Sequence, residues 1–389
     1  MTNTLPSKRT GPESAVGLQK HKRSATDIGL ALITPLLGQE FLDKYNLRDP
    51  LNRGIRYGVR TVFSAAGAST RQFKRVQGLA KPPTRLGAPR PASGSDYFDL
   101  TPDDDQKMIV ETVNEFAEEI LRPAAHDADE AAVYPPDLIA KAAELGITAI
   151  NVPEDFEGIA EHRSTVTNAL VAEALAYGDM GLALPILAPG GVASALTHWG
   201  SADQQATYLQ EFAGENVPQA CVAIAEPHPL FDPTALKTTA VRTPSGYRLD
   251  GEKSLVPAAA DAEIFIVAAQ LNGKPTLFIV EADTDGLTVQ ADPSMGIRAA
   301  ALGRVKLDKV MVPLSARLGE DDASADDSAR VYSEAIALSR LGWAALAVGT
   351  SHAVLDYVVP YVKEREAFGE PIAHRQSVAF MCANIAIEL

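Results

Sequence analysis

The chain contains few residues whose type and spacing could carry chemistry unaided. Residues 222–240 hold neither a Gly-x-Gly-x-x-Gly run nor a phosphate-binding lysine loop, so a classical dinucleotide domain is not expected. We find no Ser-His-Asp arrangement and no zinc-ligand spacing, and Cys221 and Cys382 are too few for a disulfide framework. His228 lies between two prolines, where a lone histidine is more often a loop residue than a catalytic group. No metal site is expected.

Arg365 and its neighbours are the best candidates for binding a charged ligand. A run of charged and aromatic residues contains Arg365 and Phe368 and is followed by Arg375 and Gln376. The planar guanidinium group matches the oxygens of a phosphate. The alternative interpretation is an ordinary surface arginine beside a core phenylalanine.

Helices, then strands, then helices again must position these residues. Residues 97–217 show helical periodicity with capping residues almost throughout. Residues 218–320 contain short apolar strands separated by tight turns, which predicts an antiparallel β-sandwich or barrel. Residues 321–389 contain a long helix rich in Ala and Leu, with Pro360 marking a kink or an end, and then a second helix. The fold class is therefore α+β, with an N-terminal all-helical domain, a middle β domain and the first two helices of an incomplete C-terminal bundle.

A basic N-terminal extension and linker, residues 1–96, precedes these domains. It holds 16 Lys and Arg against 6 Asp and Glu, whereas residues 97–389 hold 19 against 44. The acidic body argues against nucleic-acid binding. Residues 51–77 resemble a weak basic amphipathic helix, which suggests contact with an anionic membrane surface. The alternative is that the extension folds back on the acidic body.

No apolar stretch reaches the ~18–20 residues that a membrane-spanning helix needs. The start of the chain is polar and shows no hydrophobic signal region. We therefore expect a cytoplasmic protein, with peripheral contact to the membrane through the extension as the alternative.

Short motifs in a fixed order resemble those of the acyl-CoA dehydrogenase family. The most specific one is the "Y…R-x-x-F-G…Q" pattern, which runs here from Tyr361 to Gln376. Weaker landmarks appear in the family order across residues 97–389; they are Leu100-Thr101, Tyr134-Pro135, Glu144-Leu145-Gly146, Val152-Pro153-Glu154, Glu173 to Gly178, Ala225-Glu226-Pro227, Leu249 to Lys253, Met295 to Arg298 and Val310 to Pro313. Each motif is weak alone, but their order makes the resemblance strong. It says nothing about residues 1–96.

The resemblance implies an FAD-dependent enzyme that dehydrogenates an acyl-CoA thioester between its α and β carbons. It also implies an electron-transfer flavoprotein as acceptor, and either a homo-oligomer or a hetero-oligomer with a related subunit. In such proteins the residue matching Arg365 reaches the flavin diphosphate of a neighbouring subunit, and the one matching Gln376 contacts the same cofactor. Phe368 and Arg375 belong to the same implied cofactor site.

The implied flavin cradle departs from the family pattern. Ala225, next to Ile224, replaces a Thr that hydrogen-bonds the ring, and residues 228–231 replace a glycine-rich run. Leu255 and Pro257 stand where the family packs Trp and Thr against the ring. These positions form either a modified flavin site or plain strand ends.

The catalytic base implied by the resemblance is also missing. In most members it is a Glu that would lie beyond Leu389, and some members carry it at the position of Ser339, whose hydroxyl is not an equivalent base. Glu334 is the nearest acid, but it faces elsewhere on the helix. Arg340 and Phe231 match positions near the substrate.

Two other functions stay open beside the enzyme. The chain could be a non-catalytic subunit or scaffold that keeps the fold and completes a partner's site. It could also be a membrane-surface protein docked through its extension. Bound flavin distinguishes the enzyme from both.

Overall fold

The computed structural model describes Arg71 and residues 82–87, 100–214, 216–320 and 323–389. Of the predicted membrane-facing segment, residues 51–77, only Arg71 is among them. Its side chain is buried, so this arginine is not available to lipid headgroups. The rest of that segment lies outside the described residues.

Helices occupy the first part of the described chain. Asp103 and Ser201 each form a capping box with the Gln three residues later, which satisfies free N–H groups at two helix starts. The helices are α1 (Asp104–Phe116, continued by a π-helical turn, Ala117–Leu121), α2 (Arg122–Ala131), α3 (Leu138–Glu144), α4 (Thr165–Gly178), α5 (Met180–Trp199) and α6 (Ala202–Tyr208).

Helix α5 corrects one sequence expectation. Its 20 residues are long and apolar enough to cross a membrane by length and composition, contrary to the expectation that the chain has no such stretch. In this molecule 72% of an 18-residue apolar stretch of the helix is buried. The helix therefore packs as a core helix, with α4 on one side and the β-sheet on another.

A single seven-stranded sheet follows the helices, in the order β1-β4-β2-β3-β7-β6 with β5 beside β4. Its strands are β1 (Ala220–Ala223), β2 (Thr239–Thr243), β3 (Gly246–Val256), β4 (Ile264–Leu271), β5 (Lys274–Glu281), β6 (Leu287–Ala291) and β7 (Gly303–Val312). The predicted α+β class is confirmed, but the sheet is mixed rather than purely antiparallel.

The parallel pairs have a local cause. β1 lies along the first half of one edge of β4, and β2 lies along the end of the same edge. Residues 224–238 leave the sheet between them and return to continue in the same direction, so both strands run parallel to β4. The other pairs within this sheet are antiparallel.

The C-terminal part contains a 40-residue helix, α7 (Ala325–Glu364). Pro360 does not end it; the helix continues for four more residues. A short hairpin, β8 (Glu366–Ala367) and β9 (Glu370–Pro371), then leads to α8 (Gln376–Glu388). α7 packs against α4 and β5, so it touches both the helical part and the sheet.

Candidate functional site

A cavity of about 230 Å³ lies where α4, α5, the sheet and α7 meet. Apolar side chains form most of its wall, and polar groups come from a few positions. The polar lining residues are Asn151, Arg163, Thr165, Asn168, Ser194, His198, Trp199 and Ser339. Among the described residues, no carboxylate lines the cavity. Among the residues that the structure describes, none is placed to take a proton from a ligand there as a carboxylate base would.

Ser339, at the position where some family members carry the base, and Glu334, the nearest acid, are both hydrogen-bonded elsewhere. The hydroxyl of Ser339 donates to the carbonyl of Ala335, 2.8 Å away. Glu334 accepts from Arg163 Nη2 at 2.8 Å and from Trp199 Nε1 at 3.3 Å. Burial would raise the pKa of Glu334, but these donors together lower it. Glu334 thus remains ionised and holds α7 to the helical part.

His198 is the histidine of the cavity wall. Burial, helped by the cation of Arg163, lowers the pKa of His198 from 6.5 to about 4. The imidazole is therefore neutral at pH 7, where it can offer one donor and one acceptor.

The structure brings the two halves of the predicted flavin cradle together. The N–H of Ser254 donates to the carbonyl of Ala225 at 2.9 Å, and Lys253 Nζ donates to the carbonyl of Ile224 at 3.1 Å. Lys253 also pairs with Glu226 at 2.9 Å, and both side chains are buried. Residues 224–238, which leave the sheet between β1 and β2, are called the excursion 224–238. This ion pair fixes the excursion onto β3.

The positions expected to contact the flavin ring, Ala225, Leu255 and Pro257, present an apolar surface that makes few hydrogen bonds. Leu255 is 55% exposed, and its N–H donates to Asp292 Oδ2 at 3.1 Å. Neither Ala225 nor Pro257 has a side chain that can hydrogen-bond. The residues present fit the flat face of a ring, but they do not supply side-chain hydrogen bonds to its edge.

The predicted substrate contacts are Phe231, which lies within the same excursion, and Arg340, whose cation acts on that excursion. The rings of Phe231 and His228 meet edge to face, with centroids 5.5 Å apart. The pKa of Asp232 is lowered chiefly by hydrogen bonds from Thr234, and the cation of Arg340 adds to this effect. Arg340 thus acts electrostatically on the residue that follows Phe231.

The predicted phosphate-binding residues form a separate group around the β8–β9 hairpin. Arg375 stacks over the ring of Phe368 at 4.9 Å and donates to the carbonyl of Ala367 at 3.3 Å. Arg365 is exposed, Phe368 is 94% exposed, and Gln376 begins α8. Within the described chain, no hydrogen bond or ion pair joins this group to the cradle. The side chains of Arg365 and Phe368 are thus open to solvent.

Several residues that shape the site have no signal in the local sequence. Glu226 and Lys253 appeared only as family landmarks. Tyr332 of α7 was not singled out, yet its hydroxyl donates to the carbonyl of Pro233 at 2.6 Å and anchors the excursion. A buried charge has no local sequence signal, because burial depends on distant parts of the chain.

Comparison with known proteins identifies relatives over the whole body. Three family models match in order: the acyl-CoA dehydrogenase N-terminal domain at residues 103–216, the middle domain at 221–310 and the C-terminal domain at 329–389.

The chain is 32% identical over 301 residues to a probable medium-chain specific acyl-CoA dehydrogenase 2 of Caenorhabditis briggsae, covering 75% of this chain and 72% of the relative. Its fold resembles butyryl-CoA dehydrogenase from Megasphaera elsdenii, with a TM-score of 0.65, 26% identity and coverage of 76% and 77%. It also resembles glutaryl-CoA dehydrogenase from Mycobacterium smegmatis in complex with FADH2, with a TM-score of 0.65, 25% identity and coverage of 75% and 74%.

Proposed function

Because this chain belongs to the acyl-CoA dehydrogenase family of FAD-dependent oxidoreductases, we propose that it dehydrogenates an acyl-CoA thioester between the α and β carbons. The observation that supports this most directly is the arrangement of the three matched domains. Residues of all three enclose a mostly apolar cavity. An acyl chain is the kind of ligand that an apolar interdomain cavity accepts.

Bound FAD would supply the acceptor for a hydride from the β carbon of the thioester. Arg365, Arg375 and Gln376 would hold its phosphates across a subunit boundary, and Leu255 would cover one face of the ring. Phe231 and Arg340 would contact the acyl-CoA. An electron-transfer flavoprotein would take the electrons onward. The proton from the α carbon needs a carboxylate that this cavity wall does not contain.

A second function is favoured by the same site. The cradle lacks side-chain hydrogen bonds to the ring edge, and the cavity wall lacks a carboxylate. A subunit of this kind could keep its exposed Arg365 group to complete a partner's flavin site without reacting itself.

Flavin content tests both possibilities. Arg365→Ala should lower the flavin retained after gel filtration by about tenfold, because a charge-assisted contact contributes roughly 1.5–3 kcal/mol. Lys363→Ala is the matched control, since it removes an exposed cation two residues earlier on α7. Equal flavin in parent and Arg365→Ala would make Arg365 an ordinary surface residue. No flavin in the parent would favour the non-catalytic subunit.

A further inference from the structure

Arg71, from the N-terminal extension, is buried against three carboxylates. Its side chain is only 2% exposed. Nη1 lies 2.7 Å from Glu211 Oε2, Nη2 lies 3.3 Å from Glu263 Oε2, and Nε lies 3.9 Å from Glu281 Oε1. Burial would lower the pKa of Arg71, but the glutamates, led by Glu211, raise it. A buried cation is tolerated when it is paired in this way.

The three glutamates come from different parts of the body. Glu211 belongs to the 3₁₀ turn after α6, at the end of the helical part. Glu263 directly precedes β4, and Glu281 ends β5. Tyr208 of α6 also donates to Glu281 Oε1 at 3.1 Å. One guanidinium group therefore bridges the helical part and the sheet.

Thr84 attaches the extension to the body a second time. Its N–H donates to Gln205 Oε1 at 2.9 Å, and Gln205 Nε2 donates back to the carbonyl of Thr84 at 3.0 Å. Its hydroxyl donates to Asp155 Oδ2 at 2.8 Å. The backbone of the extension is thus paired with a buried glutamine of α6.

Residues 85–87 extend this contact to the cavity wall. Arg85 donates to the carbonyls of Thr197 and Gly200, at 3.2 and 2.6 Å, at the C-terminal end of α5. The carbonyl of Gly87 accepts from the N–H of Arg163 at 2.8 Å. Arg163 lines the cavity and pairs with Glu334 of α7. The extension therefore supports the residue that ties α7 to the helical part.

We propose that Arg71 and residues 84–87 act together as a clamp that holds the helical part, the sheet and α7 in position around the cavity. The clamp's partner is the surface of the chain's own body, formed by the three glutamates, Gln205 and the end of α5. This assignment does not depend on FAD binding. It makes this stretch of the extension a part of the folded body.

Hydrogen exchange of the full chain tests the clamp, using fragmentation that resolves single amides. Arg71→Ala should speed exchange of the Thr84 N–H by at least about tenfold, because loss of one attachment favours local opening of the other. Arg248→Ala is the control, since Arg248 forms an exposed ion pair with Asp250 on β3. Unchanged protection of Thr84 in Arg71→Ala would overturn the proposal.

Two further variants guard against a failure to fold and test the cavity side. Glu263→Gln weakens only one of the three ion pairs of Arg71 and should speed exchange of the Thr84 N–H by a smaller factor. An unchanged exchange rate at Thr84 would count against the clamp. Arg85→Ala should speed exchange of the Arg163 N–H by about tenfold. Normal protection of Arg163 in that variant would show that residues 84–87 do not support the cavity wall.

Discussion

Glu226 and Lys253 form a buried ion pair that holds the excursion 224–238 in place. Glu226 also accepts from the N–H groups of Lys237 and Thr238, at 2.8 and 2.9 Å. Glu226→Gln would leave the ammonium group of Lys253 buried without a counter-charge. We expect the free energy of unfolding to fall by about 3 kcal/mol, measured by urea denaturation. The exposed pair of Arg248 should contribute less than about 1 kcal/mol when removed; an equally small effect of Glu226→Gln would contradict the prediction.

His198 should make stability depend on pH. Its folded-state pKa of about 4 lies below the ordinary value of 6.5, so the unfolded chain binds a proton that the folded chain does not. Stability should therefore fall as the pH drops from 6.5 towards 4, by about 2 kcal/mol for this partly exposed group. Denaturation midpoints across this range should change less with pH in His198→Leu. The exposed His126→Leu is the control, and identical slopes in the two variants would refute the assignment.

At the scale of elements, Gly349 allows α7 to approach α4 closely. A Cβ atom at this position would lie 2.0 Å from the carbonyl oxygen of Glu173, which is backbone and cannot move aside alone. Gly349→Ala should destabilise the protein by about 1–3 kcal/mol.

Gly342, on the same helix, provides the matched control. A Cβ there meets nothing within 4 Å, so Gly342→Ala should raise stability by up to about 1 kcal/mol through helix propensity. The melting temperatures of both variants, measured by thermal unfolding, test these two predictions. A stable Gly349→Ala protein would mean that the two helices are not held at this distance.

At the scale of the whole molecule, α7 and α8 expose a broad apolar surface. α8 buries none of its residues. The large exposed apolar side chains of the two helices are Leu341, Trp343, Val348, Val354, Tyr357, Tyr361, Phe380, Met381 and Ile387. Surfaces of this kind are usually covered by another chain, and the acyl-CoA dehydrogenase family is oligomeric.

The chain should therefore self-associate at micromolar concentration, as measured by light scattering. Val354→Glu combined with Met381→Glu should shift it towards the monomer, because each places a charge on the apolar surface. Met108→Glu, on an exposed position of α1, should not. A monomeric parent protein would overturn the prediction.

Much of the fold could be predicted because its signals are local. Capping residues, turns and the change of periodicity near residues 218 and 320 indicated the order of helices and strands. Pro185 and Pro189 lie inside α5, so proline positions alone were a poor guide to where that helix runs. Of the candidate site, the sequence identified segments 224–225 and 253–257, which the structure brings together. No sequence motif indicated that Arg163, His198 and Trp199 share a cavity wall.

The family, the α+β class and the charge difference between extension and body were predictable from the amino-acid sequence, because these depend on composition and on motifs a few residues long. Which residues meet depends on the tertiary structure. Arg71 lies 140 residues from Glu211 and 192 from Glu263, and the parallel pairing of β1 with β4 spans an intervening strand pair. Such contacts depend on how distant surfaces bury one another. A basic extension suited by charge to an anionic membrane thus places one of its arginines inside the acidic body.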